Sequence, residues 1–89
     1  MDKVELPANT WTEVATGVTE LTFSLNKKDN ARGETVFLVS YGDASPDPAD
    51  FAALRVVVDH TESKTVVFRN TDAQNIYVNS LGGVGEAVH

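Results

Sequence analysis

Apolar and polar residues alternate along this chain in short stretches. Leu21, Phe23 and Leu25 alternate with Thr22 and Ser24. Similar apolar runs follow at Thr35-Val36-Phe37-Leu38-Val39, Leu54-Arg55-Val56-Val57-Val58, Thr65-Val66-Val67-Phe68 and Asn75-Ile76-Tyr77-Val78. A period of two places apolar side chains on one face of a strand, because successive side chains point to opposite sides. The unbroken run Val36 to Val39 predicts a strand covered on both faces, by the core on one side and by a neighbouring element or subunit on the other. No amphipathic helix of sufficient length separates these stretches, so a βαβ organisation is excluded. Turn signals recur roughly every ten to fifteen residues, the spacing of a sandwich or barrel.

The segments between the runs set the expected organisation. Residues 1–12 read as an N-terminal arm, because Leu6-Pro7-Ala8-Asn9-Thr10-Trp11-Thr12 mixes a proline and small polar residues with the single tryptophan. Pro7 cannot donate to a sheet ladder and belongs at an edge, a strand start or an irregular segment. Trp11 is either a lid on one end of the core or an anchor in a subunit contact, since tryptophan is enriched at both. A strand from Val14 to Asn26 follows, with a turn at Thr16-Gly17. The polar, charged segment Asn26 to Gly33 is a loop, and a strand runs from Glu34 to Tyr41. In the longest interruption, Gly42 to Phe51, Asp47 and Pro48 suit the cap and first position of one short helical turn, with Asp50 completing a weak capping box. Val56 to Asp59 and Thr65 to Phe68 read as a hairpin with a polar tip. Asn70 to Asn75 is a further loop, Ile76 to Ser80 a strand, Gly82 to Gly85 a turn and Glu86 to His89 a final short strand. The predicted fold class is therefore all-β: a small antiparallel β-sandwich or jelly-roll-like barrel with one short helical turn near Pro48, residues 13–89 forming a single domain.

Composition narrows the role. At 89 residues the chain is one domain, and a chain this short buries only about two thirds of the surface that its unfolded form exposes. There is no cysteine, so neither a disulfide nor a thiolate-bound metal reinforces it. Small cores without such staples often gain stability by oligomerising. The formal net charge is −6, with 13 acidic and 7 basic residues. That balance disfavours nucleic acid and anionic membrane as partners. No stretch approaches the roughly 18 apolar residues of a transmembrane helix. Met1-Asp2-Lys3-Val4-Glu5 lacks the basic and apolar regions of a signal peptide, which places synthesis and folding in a cytoplasm.

Candidate chemistry is sparse. The histidines are His60 and the last residue, His89. A terminal residue is expected to be mobile, and Asp59 and His60, as neighbours on a strand, point to opposite faces. Ser40, Ser45 and Ser80 lie outside any Gly-x-Ser-x-Gly elbow. Leu81-Gly82-Gly83-Val84-Gly85 has no following lysine-serine pair and reads as a turn, not a phosphate loop. Asp43, Asp47 and Asp50 share one loop and could supply oxygens to calcium, but Pro46 and Pro48 interrupt the spacing and no glutamate closes it; turn and capping chemistry explains them. Phe23, Phe37 and Phe68 are expected in the core, and Tyr41 and Tyr77 at its rim or in a subunit or ligand contact. No catalytic, cofactor-binding or metal-binding residue is assigned, and no cofactor is expected.

Three pieces of the chain resemble small structural proteins of tailed-phage virions. They are Leu6-Pro7-Ala8-Asn9-Thr10-Trp11-Thr12-Glu13-Val14, then Val36-Phe37-Leu38-Val39-Ser40-Tyr41-Gly42 leading to Ser45-Pro46, and Asn75-Ile76-Tyr77-Val78-Asn79-Ser80. Tyr77, Ser80, Gly85 and Val88 occupy the places of the aromatic, small polar, glycine-turn and terminal-strand residues of that pattern. The resemblance implies a β-sandwich that assembles on a capsid or tail, often as a trimer, with no reaction and no cofactor. The expected function is thus a non-enzymatic virion protein of the decoration, head-fibre or tail-attachment type. It would be assembled in the host cytoplasm and would bind copies of itself and a larger phage capsid or tail protein. Trp11, Val36, Leu38, Tyr41 and Tyr77 are the candidate interface residues. The alternative is a small carbohydrate- or ligand-binding β-module.

Overall fold

The computed structural model describes residues 2–27, 35–46, 54–58 and 63–89. It is all-β. Six strands, β1 (Lys3–Leu6), β2 (Trp11–Lys27), β3 (Thr35–Gly42), β4 (Leu54–Val58), β5 (Ser63–Leu81) and β6 (Gly85–Val88), form one sheet in the order β1-β6-β2-β5-β3-β4. Every pairing between them is antiparallel. The helical turn expected near Pro48 lies outside the described residues, as do Asp47, Asp50 and His60.

Two strands much longer than the rest govern the architecture: β2 with 17 residues and β5 with 19. They pair along their lengths, but the register breaks between Glu13 and Glu20. Glu13 faces Tyr77 and Ala15 faces Ile76, so Val14 is an extra residue on β2; Thr16 and Gly17 then stand against Asn75, and Thr19 against residues 70–73. Such bulges bend a strand and increase its twist. Gly17 takes a φ of 62°, a left-handed conformation that glycine adopts at least cost, and its N–H donates to Asn75 Oδ1 at 2.9 Å. Across from it the Asp72 N–H donates to Asn70 Oδ1 at 3.3 Å. The turn predicted at Thr16-Gly17 and the loop predicted at Asn70 to Asn75 are therefore not chain reversals. They are two irregular segments at the same height in adjacent strands, and together they crease the sheet.

The crease divides the sheet into two halves that fold over each other. One half contains β1, β6, Glu20–Asn26 of β2 and Ser63–Arg69 of β5. The other contains Trp11–Ala15 of β2, Asn75–Leu81 of β5, β3 and β4. The apolar core draws on both: Leu6, Phe23, Leu25, Val66 and Ala87 from the first, and Phe37, Val39, Val58, Ile76 and Val78 from the second. The shortest dimension, 17 Å, suits two layers packed about 10 Å apart. Phe37 marks the contact between the halves. A Cβ built on Gly85 would lie 2.6 Å from Phe37 Cε1 and 3.0 Å from the Asn26 carbonyl oxygen, so only glycine lets the buried ring lie flush on β6.

Crossings between the halves are laced by hydrogen bonds. Of the segment read as an arm, Lys3–Leu6 pair with β6, and Leu6 is fully buried. Asn9 then adopts a φ of 57°, which asparagine tolerates better than most residues. Its N–H donates to the Ser80 carbonyl at 2.7 Å, and its Oδ1 accepts from the Gly82 N–H at 3.0 Å. Ser80 Oγ donates to the Gly83 carbonyl at 2.6 Å, closing the predicted glycine turn. His89, expected to be mobile, is instead held: its backbone pairs with Asp2 in both directions, and its Nε2 lies 3.0 Å from the Val14 carbonyl.

One strand pairing differs from expectation. β4 and the start of β5 do not form a hairpin ladder; β4 pairs with β3, while Ser63–Arg69 pair with β2. The long β2 strand claims the first half of β5, so β4 and that half end on opposite layers. The close seat of Phe37 on Gly85 has a measurable consequence. Gly85→Ala is expected to lower the unfolding free energy by about 1–3 kcal/mol through overpacking, read by urea denaturation followed by circular dichroism. A change within a few tenths of a kcal/mol would show that the ring is free to move aside.

Candidate binding surface

Among the described residues the strand order leaves some strand edges unpaired. Among the described residues β4 pairs only with β3, β1 only with β6, and Ser63–Arg69 only with β2. Edge N–H and C=O groups invite pairing with another chain unless charge, proline or bulges blunt them. β1 carries both devices: Lys3 and Glu5 are exposed, and Pro7 follows the strand. β4 reads Leu-Arg-Val-Val-Val, with Arg55 its only charged residue and no proline.

Between β4 and the start of β5 lies an apolar groove of about 360 Å³. Val39, Ser40 and Tyr41 of β3, Leu54 of β4 and Val66, Val67 and Phe68 of β5 line it. The groove exists because the two strands flanking it sit on different layers and share no ladder. The Tyr41 and Phe68 rings meet at 5.3 Å between centroids with a 59° tilt, a favourable edge-on geometry that fixes one wall. Tyr41 is 58% exposed, Leu54 59% and Val67 57%. The Ser40 hydroxyl and the Tyr41 phenol are the polar side-chain groups of the lining.

The five interface candidates fall into two places. By register, Trp11, Val36, Leu38 and Tyr77 share the face of the second half that points away from the core, while Tyr41 belongs to the groove. Asn79 stands between Trp11 on one side and Leu38 on the other. Leu38 and Tyr77 are buried within the single chain, and Trp11 and Val36 are half-buried. Val36 to Val39 are thus covered on both faces without a second subunit, Val36 least completely. Tyr41 is the candidate with a large exposed surface.

The outward face also carries an unresolved polar pair. Trp11 Nε1 and Asn79 Oδ1 are both buried without a hydrogen-bond partner, although their Cα positions are directly opposed. The pairing Arg69 Nε to Glu20 Oε1, at 3.2 Å, is exposed and contributes little to stability. Thr16 Oγ1 donates to Glu13 Oε1 at the crease. Among the described residues no three His, Asp or Glu side chains converge as a metal site, and Asp43 is exposed. No helix among them is long and apolar enough to cross a membrane.

Sequence reasoning did not single out the exposed Leu54, Arg55 and Val67, whereas Phe68, expected in the core, packs partly against it while lining the groove. The signal was present in β4, a strand with four apolar residues, one cation and no blunting residue. Compared with known proteins, the chain matches no family model, no curated protein and no solved structure.

The indole N–H offers a direct check on this surface. Trp11→Phe removes a buried donor that has no acceptor and keeps most of the aromatic packing. Stability is expected to hold or rise by up to about 1 kcal/mol, measured by urea denaturation followed by circular dichroism. A loss above about 2 kcal/mol would mean that the donor is satisfied in solution.

Proposed function

We propose that this chain is a non-enzymatic structural protein that acts by binding other copies of itself and a larger protein. In its specific form the proposal is a tailed-phage virion component attached to a capsid or tail and assembled in the host cytoplasm. The virion assignment rests on the resemblance of the three sequence pieces. Self-association rests on a structural observation: an apolar strand whose outer edge has no partner among the described residues borders a groove whose Tyr41, Leu54 and Val67 side chains are largely exposed. Apolar surface of this kind is removed from water at a gain of about 25 cal/mol per Å². An open edge adds backbone hydrogen bonds to that gain. The acidic surplus opposes unspecific clustering, which leaves a specific contact as the way to cover the patch.

The groove also favours a second reading, a small ligand- or carbohydrate-binding module. Its volume lies within the usual range for small-molecule sites, and it combines apolar walls with a tyrosine and a serine. In that reading Tyr41 and Phe68 form the platform.

Light scattering across a concentration series separates the two. Assembly predicts a mass that is a multiple of 9.6 kDa, three-fold for a trimer, and a shift to smaller mass in Leu54→Ser. A monomer at every concentration overturns self-association. If that monomer also binds a glycan saturably and loses the binding in Tyr41→Ser, the second reading takes its place.

A further inference from the structure

A short, strained hinge joins the first strand to the rest of the chain, and we propose that two copies exchange this strand, the β1 of each adding to the β6 of the other. This inference rests on the self-association proposed above and places a contact for it at the end of the sandwich opposite the crease. Strand exchange needs a terminal element with a specific seat, a hinge that opens at little cost, and a path to the neighbour's seat. The seat is specific. Lys3–Leu6 pair with β6, Leu6 is fully buried, and Val4 packs against the core. A released β1 leaves an apolar slot beside an unpaired edge of β6, and the element that fits both is another β1. The contacts of the seat are remade in the exchanged form, including the paired backbone bonds between Asp2 and His89. The outer edge of β1, blunted by Lys3, Glu5 and Pro7, stays unpaired in both forms.

Residues 7–10 are the hinge, between the end of β1 at Leu6 and the start of β2 at Trp11. Among the described residues Asn9 is the one non-glycine with a positive φ, 57°. A left-handed backbone is costlier for a side-chain-bearing residue than the extended backbone of an open hinge. Pro7 favours the open form as well, because a proline ring fixes φ at about −65° and keeps the residue before it extended. Opening gives up the bond from the Asn9 N–H to the Ser80 carbonyl and the bond from the Gly82 N–H to Asn9 Oδ1. The second of these is exposed, so water replaces it at small net cost. A short hinge under strain is the kind that invites exchange.

Chain polarity supplies the path. Leu6 lies in register with Gly85 and, through it, with Lys27 at one end of β2, while Trp11 is the other end of β2, across from Asn79. The fold over the crease brings both ends to the same end of the sandwich. In the single chain, residues 7–10 turn back there from one layer to the other. Extended, they reach about 13 Å beyond it, at about 3.3 Å per residue. In a second copy whose same end faces the first, the seat of Leu6 is met first and that of Lys3 last. The incoming chain presents its residues in that order, so it enters without a further reversal. A two-fold axis makes the exchange reciprocal.

A disulfide trap on the full chain tests the exchange. Asp2 and His89 share both backbone bonds, so the next pair, Lys3 and Val88, is of the non-hydrogen-bonded type, with Cα atoms about 4.5 Å apart. That separation accepts a disulfide, and the chain has no cysteine of its own. A variant carrying both Lys3→Cys and Val88→Cys is oxidised at a concentration at which light scattering shows the wild type associated, then unfolded and sized without reductant. Exchange predicts a species of twice 9.6 kDa, because each bridge joins two chains. Monomer-sized product from an associated sample overturns the exchange and leaves self-association through the groove standing. A wild-type chain that is monomeric at every concentration removes both. The hinge is tested separately, with circular dichroism as a check on folding. Asn9→Val disfavours the left-handed position and removes the side-chain bond to Gly82, and is expected to tighten association about tenfold. Inserting Gly-Ser-Gly between Ala8 and Asn9 relaxes the reversal and is expected to abolish most of the inter-chain product. Association unchanged by Asn9→Val, or inter-chain product unchanged by the insertion, also overturns the proposal.

Discussion

The crease in the β2–β5 pair is the constraint on which this molecule depends. Two strands of 17 and 19 residues cannot remain flat in a domain this small, because a flat sheet would leave one apolar face in water. Bulges at Val14 and at Thr16-Gly17, set against the extra residues 70–73, bend both strands at one height. Each strand then serves both layers, and Phe23, Leu25 and Val66 are brought over Phe37, Val39 and Val58. The core is built from one sheet folded on itself, with the Phe37 ring on Gly85 as its tightest contact.

The surface follows from the same constraint. Among the described residues β4 has no partner beyond β3, and the unpaired edge of Ser63–Arg69 lies on the other layer. The split between them is the groove at Tyr41, Leu54 and Phe68. Edge, groove and exposed apolar side chains are three expressions of a single topological choice. A fold that closed β4 onto β5 would have paired both free edges and covered the core-side Leu54. Here the open end leaves Leu54 and Val67 exposed.

Much of the fold was legible because a period of two is a strong local signal. The strands around Phe23, Val36 to Val39, Val56 and Ile76 all lie where alternation placed them. The tight turn at Gly82 was legible from its glycines. What local signals could not distinguish was a turn from a bulge. Thr16-Gly17 and Asn70 to Asn75 carry turn chemistry in both cases, and only the long-range pairing of β2 with β5 shows that the chain runs on through them. The same non-local pairing decided that β4 and the start of β5 share no ladder. Candidate surface residues were harder. Leu38 looked like a contact residue because its run was apolar on both faces, and Tyr77 because it was an aromatic expected at the core rim, yet the single chain covers both. Phe68 packs partly against the core, as expected, while the open end leaves Leu54 exposed.

A sheet doubled over at its midpoint places residues 48 positions apart, Phe37 and Gly85, in van der Waals contact without pairing their strands. Nuclear Overhauser spectroscopy reads that contact directly. The account predicts cross-peaks between the Phe37 ring protons and the Gly85 Hα protons, with at least one Hα shifted upfield by the ring. Gly85 Hα signals at ordinary strand positions, with no cross-peak to Phe37, would mean that the two halves do not close on each other.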